Sequence, residues 1–346
     1  MDTFIIRKGL PVNPPSDNSG FILSQIQEWA QEDSLAVLCN GTQIQVQRCE
    51  VIGFNSGILV VGGGQLEIED NLIDINGGVG IEVTQTTDIG FVRRNQCYPW
   101  YSSSIPNDSA ANPSSAWWRN AIGYYFHDQT GFAWISEKNA ADYWKYHHRL
   151  SNVLHTQVLD ATGQAGDGQG GGVFFEFQNV CSFVVVRGGF WASDGVVLSL
   201  NCSDYSHSTS QNQAFNNTLS FISVNHGQSI STRPDSFSTH FFIGPYCTAE
   251  SHDMSFDVHN TTLLQVADGA LGLDVSEWRT RSGLNSGLVD NWKEINPKLE
   301  GQVVITDIYD FGNIDSSTGV IPVVPWNYTQ PFYVCCGTPE DGGGRR

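Results

Sequence analysis

A repeated strand pattern led by glycine constrains the fold of this chain more than any other feature of the sequence. Each copy has apolar residues at positions +1 and +3 after the glycine, which is the two-residue period of a β-strand. The glycine itself suits the turn that precedes a strand. The five copies begin at Gly57, Gly80, Gly123, Gly172 and Gly195.

The spacing of these copies indicates how the strands are arranged. The first two glycines are 23 residues apart, and so are the last two. That spacing is typical of one coil of a parallel β-helix, in which each short strand stacks on its counterpart in the next coil. The repeat therefore predicts an all-β solenoid with coils of about 23 residues.

The charge of the chain excludes one class of partner. The 346 residues carry a formal net charge of −19, and Lys and Arg together number only 17, with no run longer than two. Binding to a nucleic-acid backbone depends on clustered cations, so we predict no nucleic-acid partner. No apolar stretch approaches 18 residues, so we also predict no membrane insertion.

The cysteines do not predict a metal centre. The chain has eight cysteines but no CxxC pair, and we expect neither a metal nor a cofactor. Cys49 and Cys181 occupy apolar strand positions, where a cysteine is most simply a small buried hydrophobic residue. Whether any of the eight form disulfides is left open by the sequence.

Interruptions of the repeat divide the chain into three regions. Residues 1–35 form an N-terminal extension with a capping helix, since Ile22, Leu23, Ile26 and Trp29 have helical spacing. Residues 36–262 form the parallel β-helix, and residues 263–346 a C-terminal β-rich cap or trimerisation segment. Surplus residues between copies predict insertions near 98–120, 138–169 and 202–217, on the flank where solenoids form binding surfaces.

Several side chains are predicted to lie inside the coils. Tyr124 and Trp134 occupy apolar register positions, which favours a role in the core. Asn71 and Asn95 each follow a charged pair at a corner of the repeat, and an internal stack of polar side chains is the role that we expect for them.

An aromatic concentration suggests a binding function. Six rings lie in stretches that we interpret as loops because Pro, Ser and Asn are frequent around them. An exposed ring can stack on the C–H face of a sugar while its polar edge stays hydrated. The alternative, that the rings pack the loops onto the β-stack or onto a neighbouring subunit, stays open. The six glycan-binding candidates are Trp100, Tyr101, Trp117, Trp118, Tyr143 and Trp144.

Acidic residues near these rings are candidates for catalysis. Cleavage of a glycosidic bond usually needs two carboxylates, and Asp128, Glu137 and Asp142 lie close to the aromatic stretches. A lyase would instead need a base and a cation that stabilises an enolate. The local basic residues are Lys138, Lys145, His147, His148 and Arg149. A histidine pair also suggests a metal, but adjacent residues of a strand point apart, which argues against one.

These features together resemble the receptor-binding body of bacteriophage tailspikes, a right-handed parallel β-helix of the pectate-lyase-like superfamily. The resemblance covers roughly residues 36–262 and is carried by GILVVGGGQLEIEDNLIDINGGVGIEVTQTTDIGFVRRNQCYPW and by NAIGYYFHDQTGFAWISEKNAADYW. It implies a homotrimer on the virion tail that binds a bacterial surface polysaccharide, often with depolymerase activity. It carries over no catalytic residue, because these differ in place among spikes.

Two further expectations follow from the limits of this resemblance. The stretch before residue 19 leaves little room for a virion-attachment domain, which leads us to expect either a truncated chain or docking on an adaptor protein of the tail. The pectinase Asp-Asp and Gly-His-Gly motifs are absent, which argues against a polygalacturonase. Two alternatives stay open: a free, secreted polysaccharide lyase or glycoside hydrolase, and a structural β-helix of a virion or surface layer without glycan affinity.

Overall fold

A computed structural model describes part of the chain. The described residues are 4–7, 34–75, 78–86, 90–97, 121–129, 134–165, 172–193 and 195–201, followed by the strands between residues 219 and 310 that are named below. Every regular element among them is a β-strand, and none of these residues belongs to a helix that could cross a membrane.

The strands pair in parallel and form three columns, as expected for a β-solenoid. Column one holds β2 Leu35–Cys39, β5 Ser56–Val61, β8 Val79–Thr84, β11 Ile122–His127, the first part of β14 Tyr146–Leu154, the first part of β16 Val173–Ser193, β17 Val196–Asn201, β20 Thr239–Ile243, β23 Thr262–Val266 and β26 Gly287–Val289. Column two holds β3 Gln43–Gln47, β6 Gln65–Glu69, β9 Gly90–Arg93, β12 Trp134–Glu137, the start of β15 Gln157–Ala165, the middle of β16, β18 Leu219–Asn225, β21 Cys247–His252, β24 Gly272–Ser276 and β27 Val303–Ile305. Column three holds β1 Phe4–Arg7, β4 Cys49–Phe54, β7 Leu72–Ile75, β10 Gln96–Cys97, β13 Ala140–Trp144, the ends of β15 and β16, β19 Gln228–Ser231, β22 Ser255–Val258, β25 Arg279–Ser282 and β28 Tyr309–Asp310.

The core lies inside the three columns and consists of stacked rows of apolar side chains. In column one, Ile58 pairs with Ile81 and Ile81 with Tyr124, and all three are at most 1% exposed. Trp134 in column two is fully buried as well. The prediction that Tyr124 and Trp134 belong to the core is therefore confirmed.

The predicted insertion near 138–169 is wrong, because these residues contain β13, β14 and β15. Tyr124 pairs with His148, and His148 pairs with Phe175. The distance from Gly123 to Gly172 therefore spans two coils, of which one lacks the leading glycine. The predicted insertions near 98–120 and 202–217, like the capping helix, lie outside the described residues.

Parallel pairing also continues beyond the predicted boundary at residue 262. Phe241 pairs with Leu264, and Leu264 with Val289. In column three, Arg279 pairs with Tyr309. The glycine-led pattern ends before these strands, but the ladder does not, since backbone hydrogen bonds rather than the leading glycine define a coil.

Two corners of the coil are built from stacked residues with a left-handed backbone. One corner contains Gln85, Asp128, Asn152 and Asn179, with φ angles of 55°, 51°, 54° and 56°. The amide of Asp128 donates to the carbonyl of Ser151 in the next coil, at 3.0 Å. A second corner contains Arg48, Asp70, Arg94, Lys138 and Asp160 in the same conformation. Asn and Asp tolerate positive φ better than most residues, which fits Asp128, Asn152 and Asn179 at the first corner, whereas the second corner also places Arg and Lys in this conformation.

Directly after the second corner, three asparagines form a buried ladder. The Asn71 side-chain amide donates to Oδ1 of Asn95 at 2.9 Å, and that of Asn95 donates to Oδ1 of Asn139 at 3.1 Å. All three residues are at most 2% exposed. The prediction of an internal polar stack at Asn71 and Asn95 is confirmed, and Asn139 extends it by one coil.

Candidate functional site

The outward side chains of column one form the most chemically varied surface in the described part of the chain. Glu82 is in register with Tyr125, Tyr125 with Arg149, and Arg149 with Glu176. Four successive coils therefore contribute one of these side chains each. Adjacent strands lie about 4.8 Å apart, so the four side chains are close neighbours. We call this surface the column-one face and define it by Glu82, Tyr125, His127, Tyr146, Arg149 and Glu176.

Strand periodicity explains why these residues face outward. Tyr124 and Phe126 are fully buried, so Tyr125 and His127, which alternate with them along β11, point to the other side of the sheet. The Tyr125 and His127 rings stack on each other, with their centroids 4.2 Å apart. Both residues are only partly buried, so this stack borders solvent.

Arg149 lies at the centre of the face. Its guanidinium carbon is 3.9 Å from the ring centroid of Tyr146 and 5.9 Å from that of Tyr125, so the cation lies against aromatic rings of two coils. Its Nε donates to Glu176 in the next coil. The side chains of Arg149 and Glu176 are 19% and 11% exposed. The cation is thereby held in one orientation, with its charge already matched by a carboxylate.

His127 joins two carboxylates. Its Nε2 lies 3.0 Å from Oε1 of Glu82, and its Nδ1 lies 2.9 Å from Oδ2 of Asp128. Burial of the ring disfavours its charged form, but the hydrogen bonds to Glu82 and Asp128 outweigh burial and raise the pKa of His127 above its ordinary value. A histidine that donates to both carboxylates is the arrangement that this raised pKa favours.

Asp128 is held in its ionised form. Partial burial would raise its pKa, but hydrogen bonds from His127 and from Asn152 overcome this effect and lower the pKa of Asp128. The Asn152 amide donates to Oδ1 of Asp128 at 2.7 Å. An ionised carboxylate at the exposed corner of the face accepts hydrogen bonds but does not donate them.

The structure does not bring the predicted catalytic acids together. Asp128 lies at the corner that ends column one, whereas Glu137 lies at the end of β12 in column two, where its Oε1 is 3.4 Å from Nζ of Lys138. Asp142 belongs to β13 in column three, and its side chain is outside the described residues. These three acids therefore come from three different columns of one coil.

Of the six predicted glycan-binding rings, only that of Trp144 is among the side chains that the structure describes. Trp100, Tyr101, Trp117 and Trp118 lie outside the described residues, as does the side chain of Tyr143 in β13. Trp144 was predicted to lie in an exposed loop, but it ends strand β13 and is fully buried. A ring without exposed surface cannot stack on a sugar, so Trp144 belongs to the core instead.

The sequence interpretation missed Tyr125 and Tyr146 as surface aromatics. Each stands beside a residue whose side chain is buried: Tyr125 follows Tyr124, and Tyr146 precedes His147. In GYYFHD the alternation of buried and exposed positions assigns Tyr125 outward once Tyr124 is placed in the core. The sequence therefore contains the signal that places Tyr125 on the outer face.

The adjacent histidines His147 and His148 do not point apart, contrary to the prediction. Both are fully buried, and their Nδ1 atoms are 2.7 Å apart. Tyr146 pairs with Ile122 and His148 with Tyr124, while the intervening Gly123 has its missing Cβ next to the His147 carbonyl. Because the start of β14 is irregular, two successive rings point into the core. Neither ring can therefore contact a ligand on the surface.

Neither a metal site among the described residues nor a similar protein gives further information about function. Among the described residues there is no group of three or more His, Cys, Asp and Glu side chains that could hold a metal ion. Cys97 and Cys181 are buried, Cys39 and Cys49 are partly buried, and none of these four cysteines forms a disulfide. Comparison with protein-family models, with curated proteins and with solved structures gives no match.

Proposed function

We propose that this protein is a tailspike-like adhesin that binds a bacterial surface polysaccharide through the column-one face. The observation that carries the proposal is the combination on this face of two partly exposed tyrosine rings, an oriented guanidinium and several carboxyl groups. Aromatic rings stack on the C–H faces of sugars, and carboxylate and guanidinium groups exchange hydrogen bonds with sugar hydroxyls. A polysaccharide laid along the column would meet one such side chain in each coil.

The position of the aromatic insertion supports the same proposal. The residues between β10 and β11 include Trp100, Tyr101, Trp117 and Trp118 and precede β11 in the sequence. Since β11 carries Tyr125 and His127, we propose that these aromatics extend the column-one face.

The assembly and location are part of the proposal. We propose a homotrimer on the virion tail, attached through an adaptor protein, with a right-handed helix of coils of about 23 residues. Polysaccharide binding by a monomer that releases products would favour the free, secreted enzyme. A trimer without glycan affinity would favour a structural β-helix protein.

Replacing Tyr125 or Tyr146 by alanine is expected to weaken polysaccharide binding by about 1 to 3 kcal/mol per ring, by analogy with stacking of rings on nucleobases. The control is Phe91→Ala, which removes a partly exposed ring from the outer face of column two. Binding is measured by affinity electrophoresis against bacterial capsular and exopolysaccharides. Equal retention of all three variants and the wild type would contradict the proposal.

The same incubations reveal whether binding is followed by cleavage. New reducing ends without ultraviolet absorbance indicate a hydrolase, whereas absorbance at the wavelength of unsaturated uronates indicates a lyase. If cleavage occurs, Asp128→Asn distinguishes a role in chemistry from a role in binding, because it preserves the shape of the side chain and removes its charge.

We also propose that the segment before β2 caps the first coil with the amphipathic helix around residues 21–33. Val37 and Cys39 are only partly buried, whereas Ile58 and Val60, which pair with them, are at most 1% exposed. The first coil thus presents core positions that need a cover.

Introducing a charge on the apolar side of this helix, as in Ile26→Asp, is expected to destabilise the protein by about 1 to 3 kcal/mol, because the first coil loses its cover. The matched control is Gln27→Asp, at a polar position of the same segment. Thermal melting compares the two variants. A melting temperature that falls equally in both would show that the apolar positions do not cover the core.

A further inference from the structure

We propose that the polysaccharide bound by the column-one face is uncharged. This inference rests on the proposed function and specifies the class of its ligand. It follows from how the charges on the face are already used.

The cations of the face are matched by carboxylates of the chain itself. Arg149 is paired with Glu176, and His127 lies between Glu82 and Asp128. Lys145 lies directly before the face, with its Nζ 5.5 Å from the Tyr146 ring centroid. The carboxylates Glu82, Asp128 and Glu176 equal in number the cationic side chains of His127, Arg149 and Lys145, so the face and its border have no net positive charge to offer a polyanion.

A uronate or phosphate group would have to displace one of these carboxylates. Glu176 is only 11% exposed at its side chain, so breaking its pair with Arg149 would leave a poorly solvated charge behind. The formal net charge of −19 adds repulsion within the Debye length, about 8 Å at physiological ionic strength. Both effects act against an anionic chain.

The same groups suit an uncharged sugar. Ionised carboxylates are strong acceptors, and hydroxyl groups are the donors that an uncharged sugar supplies in greatest number. The Tyr125 ring beside Glu82 and His127 provides an apolar surface next to these acceptors. Hydroxyls can bind without breaking any existing ion pair.

Affinity electrophoresis on matched polysaccharides tests this inference. The probes are uncharged bacterial capsular polysaccharides, uronate-containing ones, and the latter after carboxyl reduction, which converts each acid to an alcohol. We expect retention on uncharged and carboxyl-reduced chains, changing less than about twofold between 0.02 and 0.5 M salt, because screening acts only on charge interactions. Retention confined to the uronate chains, and lost at high salt, would overturn the inference while leaving the adhesin function intact. Retention on none of the probes would overturn both.

A charge-removing variant gives an independent readout. Glu176→Gln preserves the side-chain shape and releases the charge of Arg149, so it is expected to gain at least about fivefold in retention on uronate chains at low salt. The control is Glu67→Gln, the same change on the outer face of column two, where Glu67 accepts from Gln45 at 3.0 Å. An equal gain in both variants would reflect net charge alone and would contradict the assignment of ligand charge to this face.

Discussion

Replacing Asn95 by alanine is expected to lower the free energy of unfolding by about 3 to 5 kcal/mol. Asn95 is 1% exposed, and its side chain makes four hydrogen bonds that no other group can replace. Its Oδ1 accepts from the backbone amide of Asn71 at 3.1 Å and from the side-chain amide at 2.9 Å. Its own amide donates to the carbonyl of Ile68 at 2.9 Å and to Asn139. Leaving a buried polar group unpaired costs about 1 to 3 kcal/mol, and several are stranded here.

Urea unfolding measures this loss. The protein concentration is held constant, because the apparent stability of a protein that associates depends on its concentration. The control is Gln45→Ala, which removes an amide from the exposed face of β3 and is expected to change stability by less than about 0.5 kcal/mol. If Asn95→Ala lost no more than the control, the ladder would not contribute to stability in the way that its hydrogen bonds indicate.

The asparagine ladder shows which parts of the fold the sequence determines. Asn71 and Asn95 follow charged pairs at the same point of the repeat, and a polar residue at a fixed position inside an apolar pattern needs a partner of its own kind. This prediction is confirmed because the position of each Asn in the sequence repeat matches its position in the stack of coils.

Register was harder to predict than fold class. Phe175 was aligned with Val83 and Phe126, but it pairs through His148 with Tyr124, two residues earlier in the strand. A shift of two residues keeps every side chain on the same face, so the apolar pattern is equally satisfied by both alignments. Only the backbone pairing of the glycine-less coil between them decides the register.

A shift of one residue has the opposite effect, and Phe91 shows it. Ile68 and Phe91 both lie eleven residues after a leading glycine, which predicts that they stack, but Phe91 pairs with Glu67 and Ile135, so its ring is partly exposed on the outer face. Ile68 pairs instead with Val92, which is fully buried. Turn lengths between columns differ by single residues, and a glycine-anchored count cannot detect such a difference.

The candidate site was less predictable than the fold for a related reason. Glu82, Arg149 and Glu176 are far apart in sequence and become neighbours only through the pairing of four coils. The insertion that the sequence predicts near 138–169 includes Arg149, whereas the structure places this residue in strand β14. Which side chains share a surface depends on the pairing register of the strands. Without that register, the sequence does not reveal that the three predicted catalytic acids lie in separate columns.

Mild acid is expected to destabilise the protein through the buried pair His147 and His148. Both rings lie inside the coil: His147 stacks on Phe174 at 4.0 Å between centroids, and His148 stacks on Tyr124 at 4.8 Å. The His148 Nε2 lies 2.9 Å from the Ser136 hydroxyl, which accepts from the Asn139 amide at 2.7 Å. The pair thus continues the asparagine ladder into the core.

Burial determines the protonation state of both rings. It lowers the pKa of His147 to about 3, although the Thr162 carbonyl, 2.9 Å from Nε2, favours the charged form. Burial, and then the charge that His147 would carry, lower the pKa of His148 well below its usual value. In the unfolded chain both histidines titrate near pH 6.5. Between these values the unfolded state binds more protons than the folded state, so stability is lost as the pH falls from about 6.5 toward 3.

The expected loss from His147 alone is roughly 3 kcal/mol by pH 4, which lies about 2.5 units below the pKa of the unfolded chain, since each unit corresponds to about 1.4 kcal/mol. Urea unfolding at a series of pH values between 7 and 4 measures it, and His147→Gln is expected to flatten the pH dependence. The matched control is His155→Asn, at an exposed corner with φ of 53°, and an equal flattening in both variants would contradict the assignment to the buried pair. Should His147→Gln not fold, nitrogen-15 NMR of the native wild-type protein at pH 5 decides the matter: two neutral imidazoles support the prediction, and a charged one refutes it.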